Sequence, residues 1–171
     1  MKICIVSDSH DRADPLLHAV EAGLAEGAEA LIHCGDVIGA HTLRPLLALP
    51  LAAIHVVHGN NLGDALALVR LAAASGGRLA YHGGDADVRL GGRRVYVTHY
   101  PHHARGMACT GDYDLVCCGH SHEAAIERQP DIRGGHTWLI NPGTVAGIGA
   151  PSHWILGDLA TMCFELRSAA Q

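Results

Sequence analysis

The chain has 171 residues, enough for one domain with its own apolar core. Hydrophobic residues make up 49% and charged residues 17%, which excludes a disordered or polyelectrolyte chain. The net charge of -5, from 17 acidic and 12 basic residues, lacks the basic footprint that general nucleic-acid binding needs.

The first half alternates strands with helices. Ile3–Ser7 is a short apolar run that predicts a buried strand. Pro15–Glu26 carries apolar residues at Leu16, Leu17, Val20 and Leu24, a helical spacing, with Asp14 placed as N-cap and Pro15 at the first helical position. A second strand is expected over Ala30–Cys34, then a short helix over Thr42–Leu49 that stops near Pro50. A third strand follows over Leu51–Val57 and a third helix over Leu66–Ala74, closed by Gly76-Gly77. The stretch from Pro45 to Gly63 has no charged residue, but Pro50, His55, His58, Asn60 and Asn61 interrupt it. It cannot supply the ~20 apolar residues of a membrane span. The opening Met1-Lys2-Ile3-Cys4-Ile5-Val6 lacks a signal-peptide layout, so a cytoplasmic protein is expected.

The second half changes character. Asp87–Leu90, Gly91-Gly92 and Arg93–Thr98 read as a hairpin with a glycine turn. Further strands are expected over Leu115–Cys118, Ala124–Arg128, Thr137–Ile140, His153–Leu156 and Met162–Leu166. Asn141-Pro142-Gly143-Thr144 is turn chemistry. The early units predict a partly parallel sheet, and the later run of strands a second, more antiparallel sheet packed on it. Of the six cysteines, Cys4, Cys34, Cys117, Cys118 and Cys163 lie in or beside apolar runs and are read as small buried hydrophobes. None forms the C-x-x-C pair of a zinc-thiolate site.

Histidine is the outlier: 14 residues, more than the 12 Lys and Arg together. Metal-competent side chains recur just after predicted strands. Asp8 and His10 follow the first, Asp36 the second and Asn60 the third; His99 follows Arg93–Thr98, and His120 and His122 follow Leu115–Cys118. In open α/β sheets, sites form outside the carboxyl ends of the strands, so these seven groups are expected on one edge. A mixed nitrogen and oxygen set suits Mn, Fe or Zn better than Ca or Mg. Seven ligands exceed one tetrahedral ion and suit two ions sharing a bridging carboxylate.

The ordered set Asp8-x-His10, Gly35-Asp36, Gly59-Asn60, His99 and Gly119-His120-x-His122 resembles the calcineurin-like metallophosphoesterase superfamily. The length and the Asn141–Thr144 turn look like its small stand-alone bacterial and archaeal phosphodiesterases. The resemblance implies one domain over residues 1–171, an α/β fold arranged as a four-layer α/β/β/α sandwich, and a dinuclear centre. Asp8, His10, Asp36 and His122 would hold one divalent transition-metal ion. Asp36 would bridge, and Asn60, His99 and His120 would hold the other. Mn is the first choice, with Fe, Zn or Ni as alternatives. The implied activity is a metal-dependent phosphodiesterase in which a hydroxide between the ions attacks phosphorus in line. The implied partner is a small phosphoester, with no membrane and with room for a homo-oligomer. The alternatives are a phosphomonoesterase or nucleoside-polyphosphate hydrolase on the same site, and a retromer-subunit-like scaffold, against which the intact ligand set argues.

Departures from the family pattern cluster beside the ligands. Asn61 and Leu62 stand where Cys or His and then an acid are usual. The Thr-His-Gly-His pattern becomes Thr98-His99-Tyr100-Pro101, followed at once by His102 and His103, and Asp11 replaces a Gly. Asn61, His102 and His103 are therefore the candidates for proton donation or phosphate contact. Asp64 is a substitute acid two positions late, and the Arg105 fork could clamp a phosphate. His33, His55 and His82 have no motif context and read as structural.

Overall fold

The computed structural model describes residues 1–168. The chain begins β1 (Lys2–Val6), α1 (Ala13–Ala25), β2 (Ala28–His33), α2 (Ala40–Leu43), β3 (Ala53–Val56), α3 (Ala65–Ala74) and β4 (Leu79–Tyr81). It continues β5 (Asp85–Leu90), β6 (Arg93–Thr98), α4 (Pro101–Ala108), β7 (Leu115–Cys117), β8 (Ala124–Pro130), β9 (His136–Pro142), β10 (His153–Asp158) and β11 (Cys163–Ser168). One sheet has the order β11-β10-β1-β2-β3-β4 and the other β5-β6-β7-β9-β8.

Strand β1 shows how the layers stack. Cys4 and Val6 face the helices and pack with Leu16, Val20, Leu31, Ile54 and Trp154. Ile3 and Ile5 alternate to the other face and meet Val97, Leu115, Cys117 and Ile140 of the second sheet. Both faces of the strand are buried, hence its unbroken apolar run. On the far side, Ala104 and Ala108 of α4 pack on Val116, Cys118 and Leu139. The result is helices, sheet, sheet, helix: the expected four-layer sandwich of two mixed sheets.

Several expectations change at the level of elements. The last two strands do not join the second sheet; β10 pairs antiparallel with β1, and β11 with β10. The second sheet is mixed rather than mainly antiparallel, because β6, β7 and β9 run parallel at its centre, with β5 and β8 antiparallel at its edges. Helix α1 starts at Ala13 with Arg12 at the N-cap, so Asp14 lies in the first turn. There its carboxylate faces the positive end of the helix dipole instead of capping it. The Thr42–Leu49 helix breaks into α2 and a 3-10 turn, Arg44–Ala48. Pro45 has no N–H to offer the His41 carbonyl, so the α-helical ladder stops there. Strand β4 and helix α4 were not anticipated: β4 has three residues, and α4 shows only alanines and Met107 on its buried side. The Leu90–Arg93 hairpin is as expected, with φ of 53° at Gly91 and 79° at Gly92. Cys163 is exposed rather than buried. Among the described residues no helix is long and apolar enough to cross a membrane.

Candidate metal centre

The carboxyl ends of β1, β2, β3, β6 and β7 open onto one edge, and all seven sequence-identified groups follow them there. Five of the seven have left-handed backbones: Asp8 (φ 54°), His10 (44°), Asp36 (54°), His120 (68°) and His122 (59°). Each such residue costs about 1–3 kcal/mol, and such strain collects where a side chain must be aimed. Ile38, β-branched, also adopts φ 77° in the loop after Asp36. At Gly35 (φ 109°), a Cβ would lie 2.5 Å from His99 Nδ1 and 2.7 Å from the His58 carbonyl oxygen. Only glycine lets β2 pass so close beneath His99.

The side chains converge in two overlapping groups. Ligand atoms of Asp8, His10 and His122 lie within 4.8 Å of one another, as do those of Asp8, Asp36 and His99. His122 Nε2 is 3.2 Å from Asp8 Oδ1 and 3.3 Å from His10 Nε2. His10 Nε2 is also 3.7 Å from Asp36 Oδ2, and His99 Nε2 is 3.4 Å from Asp36 Oδ1. Asn60 Oδ1 lies 3.0 Å from His99 Nε2 and 2.8 Å from His120 Nδ1. Asp8, Asp36 and His99 are buried, whereas Asn60 and His120 are exposed, so the centre has a closed floor and an open rim.

Hydrogen bonds behind the imidazoles fix their protons. His99 Nδ1–H donates to the Cys34 carbonyl at 2.8 Å, and His122 Nδ1–H to the Ile148 carbonyl at 2.7 Å. Their Nε2 lone pairs therefore point at Asp36, Asn60 and Asp8, acceptor against acceptor. Asp8 Oδ1 is fully buried with no hydrogen-bond partner among the described residues, while Oδ2 accepts the His120 N–H at 3.0 Å. An orphaned carboxylate oxygen facing bare imidazole nitrogens fits a divalent cation, and the outward N–H bonds are those that orient metal-binding histidines.

Asp36 has further partners. Burial pushes its pKa up, but the Asn61 backbone N–H, the Asn61 side-chain amide and nearby His99 and His10 outweigh that and hold the carboxyl below its usual range. Asn61 thus lies against Asp36 while remaining exposed.

Other residues play parts that sequence reasoning missed. His33 is fully buried; its Nδ1 accepts the Gly35 N–H at 3.2 Å, so Nε2–H donates to Ser9 Oγ at 3.0 Å. It ties the Asp8–His10 loop to the Gly35-Asp36 loop. Burial, with His99 and His10 adding to it against Asp36, lowers its pKa to about 3, so it stays neutral. Its place three residues before Asp36, at the end of β2, was the available signal. Asp11 accepts from the Gly39 N–H at 2.6 Å and from Thr42 Oγ1 at 3.2 Å, which explains a carboxylate where the family has glycine. Asn141 donates to the Gly119 carbonyl at 2.9 Å, and Thr144 Oγ1 to the Asp8 carbonyl at 2.9 Å, so that turn braces loops from both sheets.

His102 and His103 are not in the cluster. They lie on the exposed first turn of α4 rather than in a loop. Tyr100 stands between: its ring centroid is 5.1 Å from that of His120, 5.6 Å from His102 and 5.5 Å from His103. Asp64 is no substitute acid in this arrangement; its carboxylate caps α3 by accepting the Ala67 N–H at 2.9 Å. Arg105 is engaged by Gln129 at 2.8 Å and Glu127 at 3.3 Å.

The chain matches the model of the calcineurin-like phosphoesterase superfamily domain over residues 1–162. It is 31% identical over 160 residues to a phosphodiesterase of Methanocaldococcus jannaschii, covering 91% of this chain and 92% of the relative. The structure of an archaeal phosphodiesterase superposes with a TM-score of 0.87 at 25% identity, covering 98% of this chain and 99% of the other. A phosphoesterase from E. coli shares the fold, with a TM-score of 0.64 at 17% identity, covering 99% of this chain and 100% of the other. With the family model matching residues 1–162 and the two mixed sheets in place, the chain belongs to the calcineurin-like phosphoesterase superfamily.

Proposed function

We propose that the chain is a single-domain, metal-dependent phosphodiesterase over residues 1–171 that uses two divalent transition-metal ions, Mn first among them. Asp8, His10, Asp36 and His122 hold one ion; Asp36, shared, joins Asn60, His99 and His120 at the other. The observation that carries this reading is a buried carboxylate oxygen without a donor, Asp8 Oδ1 beside His122 Nε2, next to Asp36 Oδ1 facing His99 Nε2. When bound, such a pair of ions supplies Lewis-acid polarisation of the phosphoryl group and a water acidic enough to act as nucleophile near neutral pH. The chain's own groups do the rest. Asn61 steadies Asp36 and, being exposed, offers its amide to a phosphate oxygen. His102 or His103, one aromatic ring beyond His120, serves as the proton donor to the leaving group or as a phosphate contact.

A diester is favoured over a monoester because the side chain next to Asn60 is an amide, a poor proton donor, and poor leaving groups need a proton most. The name of the Methanocaldococcus relative agrees. The acidic balance of the chain supports a small substrate rather than a nucleic acid. Free, buried Cys4, Cys34, Cys117 and Cys118 support a reducing cytoplasmic setting. Exposed apolar Leu62, Leu66 and Val69 support association with further copies.

The test pairs elemental analysis with turnover. Purified protein is expected to hold close to two transition-metal ions per chain and, with Mn, to cleave an aryl phosphodiester faster than the matching monoester. A metal count near zero favours a scaffold, and faster monoester cleavage a monoesterase. Unchanged kcat across pH in both His102→Ala and His103→Ala would remove those residues from the reaction.

A further inference from the structure

Between β1 and α1 the chain turns through three left-handed residues that are not glycine: Asp8 (φ 54°), His10 (44°) and Asp11 (62°). Such a turn persists only where its surroundings over-determine it. The loop after β2 supports one side. The Asp8, His10 and Asp11 N–H groups donate to the Gly35, Asp36 and Val37 carbonyls at 3.0, 3.0 and 3.2 Å. A loop over residues 144–149 supports the other. The Val145 N–H donates to the Ser7 carbonyl at 2.9 Å, and the Ala146 N–H reaches the Asp8 carbonyl at 3.4 Å. Arg12, the N-cap of α1, closes the turn. Its N–H donates to the Ser9 carbonyl at 2.8 Å, and its guanidinium Nη1 donates across to the Ala146 carbonyl at 3.1 Å.

The loop that Arg12 grips carries the acceptor for His122. Two residues past Ala146, the Ile148 carbonyl takes the His122 Nδ1–H at 2.7 Å. Gly147 (φ 67°) and Gly149 (φ 72°) flank Ile148, so the local backbone does little to fix where that carbonyl points. His10 belongs to the Arg12 turn, and its Nε2 is 3.3 Å from His122 Nε2. The Arg12–Ala146 bond therefore ties the segment bearing one imidazole to the segment that orients the other. We propose that Arg12 is a positioning residue for the ion assigned to Asp8, His10, Asp36 and His122. By gripping Ala146 it holds the Ile148 carbonyl against His122, keeps the ring proton on Nδ1 and so aims Nε2 at Asp8 beside His10. This inference rests on the metal-binding reading given above.

Charge and geometry pull in opposite directions here. Arg12 is a permanent cation two residues from His10, and by charge alone it weakens a site for cations. By its bond to the loop it strengthens the same site. Removing the side chain therefore changes metal affinity with a sign that tells the two effects apart.

Two variants of the full chain make the test. Arg12→Met keeps the aliphatic stem and loses donor and charge; Arg12→Lys keeps the charge and a donor. The first readout is nitrogen NMR of the imidazole rings after chelation. Wild-type His122 is expected as the Nδ1–H tautomer, and His122 of Arg12→Met as a mixture of both tautomers. His99, whose Nδ1–H is held by the Cys34 carbonyl, is expected to stay unchanged, which also shows that the variant folds. The second readout is calorimetric Mn titration. Arg12→Met is expected to bind one Mn ion roughly three- to tenfold more weakly, the range of a single net hydrogen bond, and Arg12→Lys to recover part of the loss. An unchanged His122 tautomer in Arg12→Met overturns the proposal, and so does Mn affinity that is equal or higher. A raised KM for an aryl phosphodiester with unchanged Mn affinity would make Arg12 a phosphate contact instead. Wild-type protein that takes up no Mn would remove the metal reading, and the tautomer would still decide whether Arg12 positions His122.

Discussion

Asn61 spans both oxygens of Asp36: its backbone N–H donates to Oδ1 at 2.9 Å, and its side-chain amide donates to Oδ2. A carboxylate proposed to serve two ions is thereby oriented before either arrives. Asn61→Ala removes one of these two bonds and is expected to weaken Mn binding by roughly 10–100-fold, the usual effect of losing a group that orients a ligand. Asn61→Asp sets a like charge against Asp36 and is expected to raise its pKa. Calorimetric Mn titration of the three proteins checks this; unchanged affinity in the alanine variant would separate Asn61 from the centre.

Gly35→Ala is expected to damage the centre and the fold together. The new Cβ meets His99 Nδ1 at 2.5 Å and the His58 carbonyl at 2.7 Å, in a left-handed backbone. Gly77→Ala, also left-handed at φ 86° but with nothing within 4 Å, is the control. The control is expected to lose about 1–2 kcal/mol from backbone strain alone and to keep its activity. Gly35→Ala is expected to lose more stability and most of its turnover. Urea unfolding and kcat of the two variants make the comparison, and equal behaviour would mean that the close approach of β2 to His99 is unimportant.

His33 makes stability depend on acid in a defined direction. Its pKa is about 3 in the folded chain against an ordinary 6.5, so between those values the unfolded chain binds a proton that the native one refuses. Stability is unaffected above about pH 6.5 and falls as the pH drops towards 3, by a few kcal/mol at the acid end. His33→Gln keeps an amide donor near Ser9 and cannot charge, so its stability curve is expected to be flatter. Urea midpoints from pH 7 to pH 4, measured on both proteins after chelation, decide the matter; parallel curves would rule His33 out.

The thiols are expected to divide by exposure. Cys163, at the start of β11, is exposed and Cys109 partly so, while Cys4, Cys34, Cys117 and Cys118 are buried. Burial also raises the thiol pKa of Cys4 and pushes that of Cys118 to about 12, so neither offers a thiolate near neutral pH. A disulfide-exchange reagent is expected to label Cys163 first and Cys109 more slowly, with the other four reacting on unfolding. Peptide mapping after a short pulse reads the order, and early labelling of Cys118 would contradict it.

The convergence of the candidate ligands was legible because each follows an apolar strand, and three of them adjoin a glycine, at Gly35, Gly59 and Gly119. Those are local signals, and one strand end suffices to read each. The return of β10 to β1 was not legible, since it depends on pairing between residues as distant as Cys4 and Leu156. Helix α4 escaped because alanines carry its buried face and leave little periodicity, so His102 and His103 read as loop residues. His33 and Asn61 show a different gap. Their types and positions were visible, but their partners, Ser9 and Asp36, lie 24 and 25 residues away on other loops. No spacing rule along the chain connects such pairs.

The centre draws Asp8, His10, Asp36 and Asn60 from one sheet, and His99, His120 and His122 from the other. Between the two sheets, beneath these groups, runs the seam of Ile5, Ile32, Cys34, Val97, Cys117 and Ile140. The seam acts as a shim: its side-chain volumes set the gap between the two jaws that would hold the proposed ions. Trimming a methyl from Ile32 or Ile140 would reset that gap without touching a ligand. The fit of the jaws to ions of different radius would thus be tuned from residues that meet neither metal nor substrate.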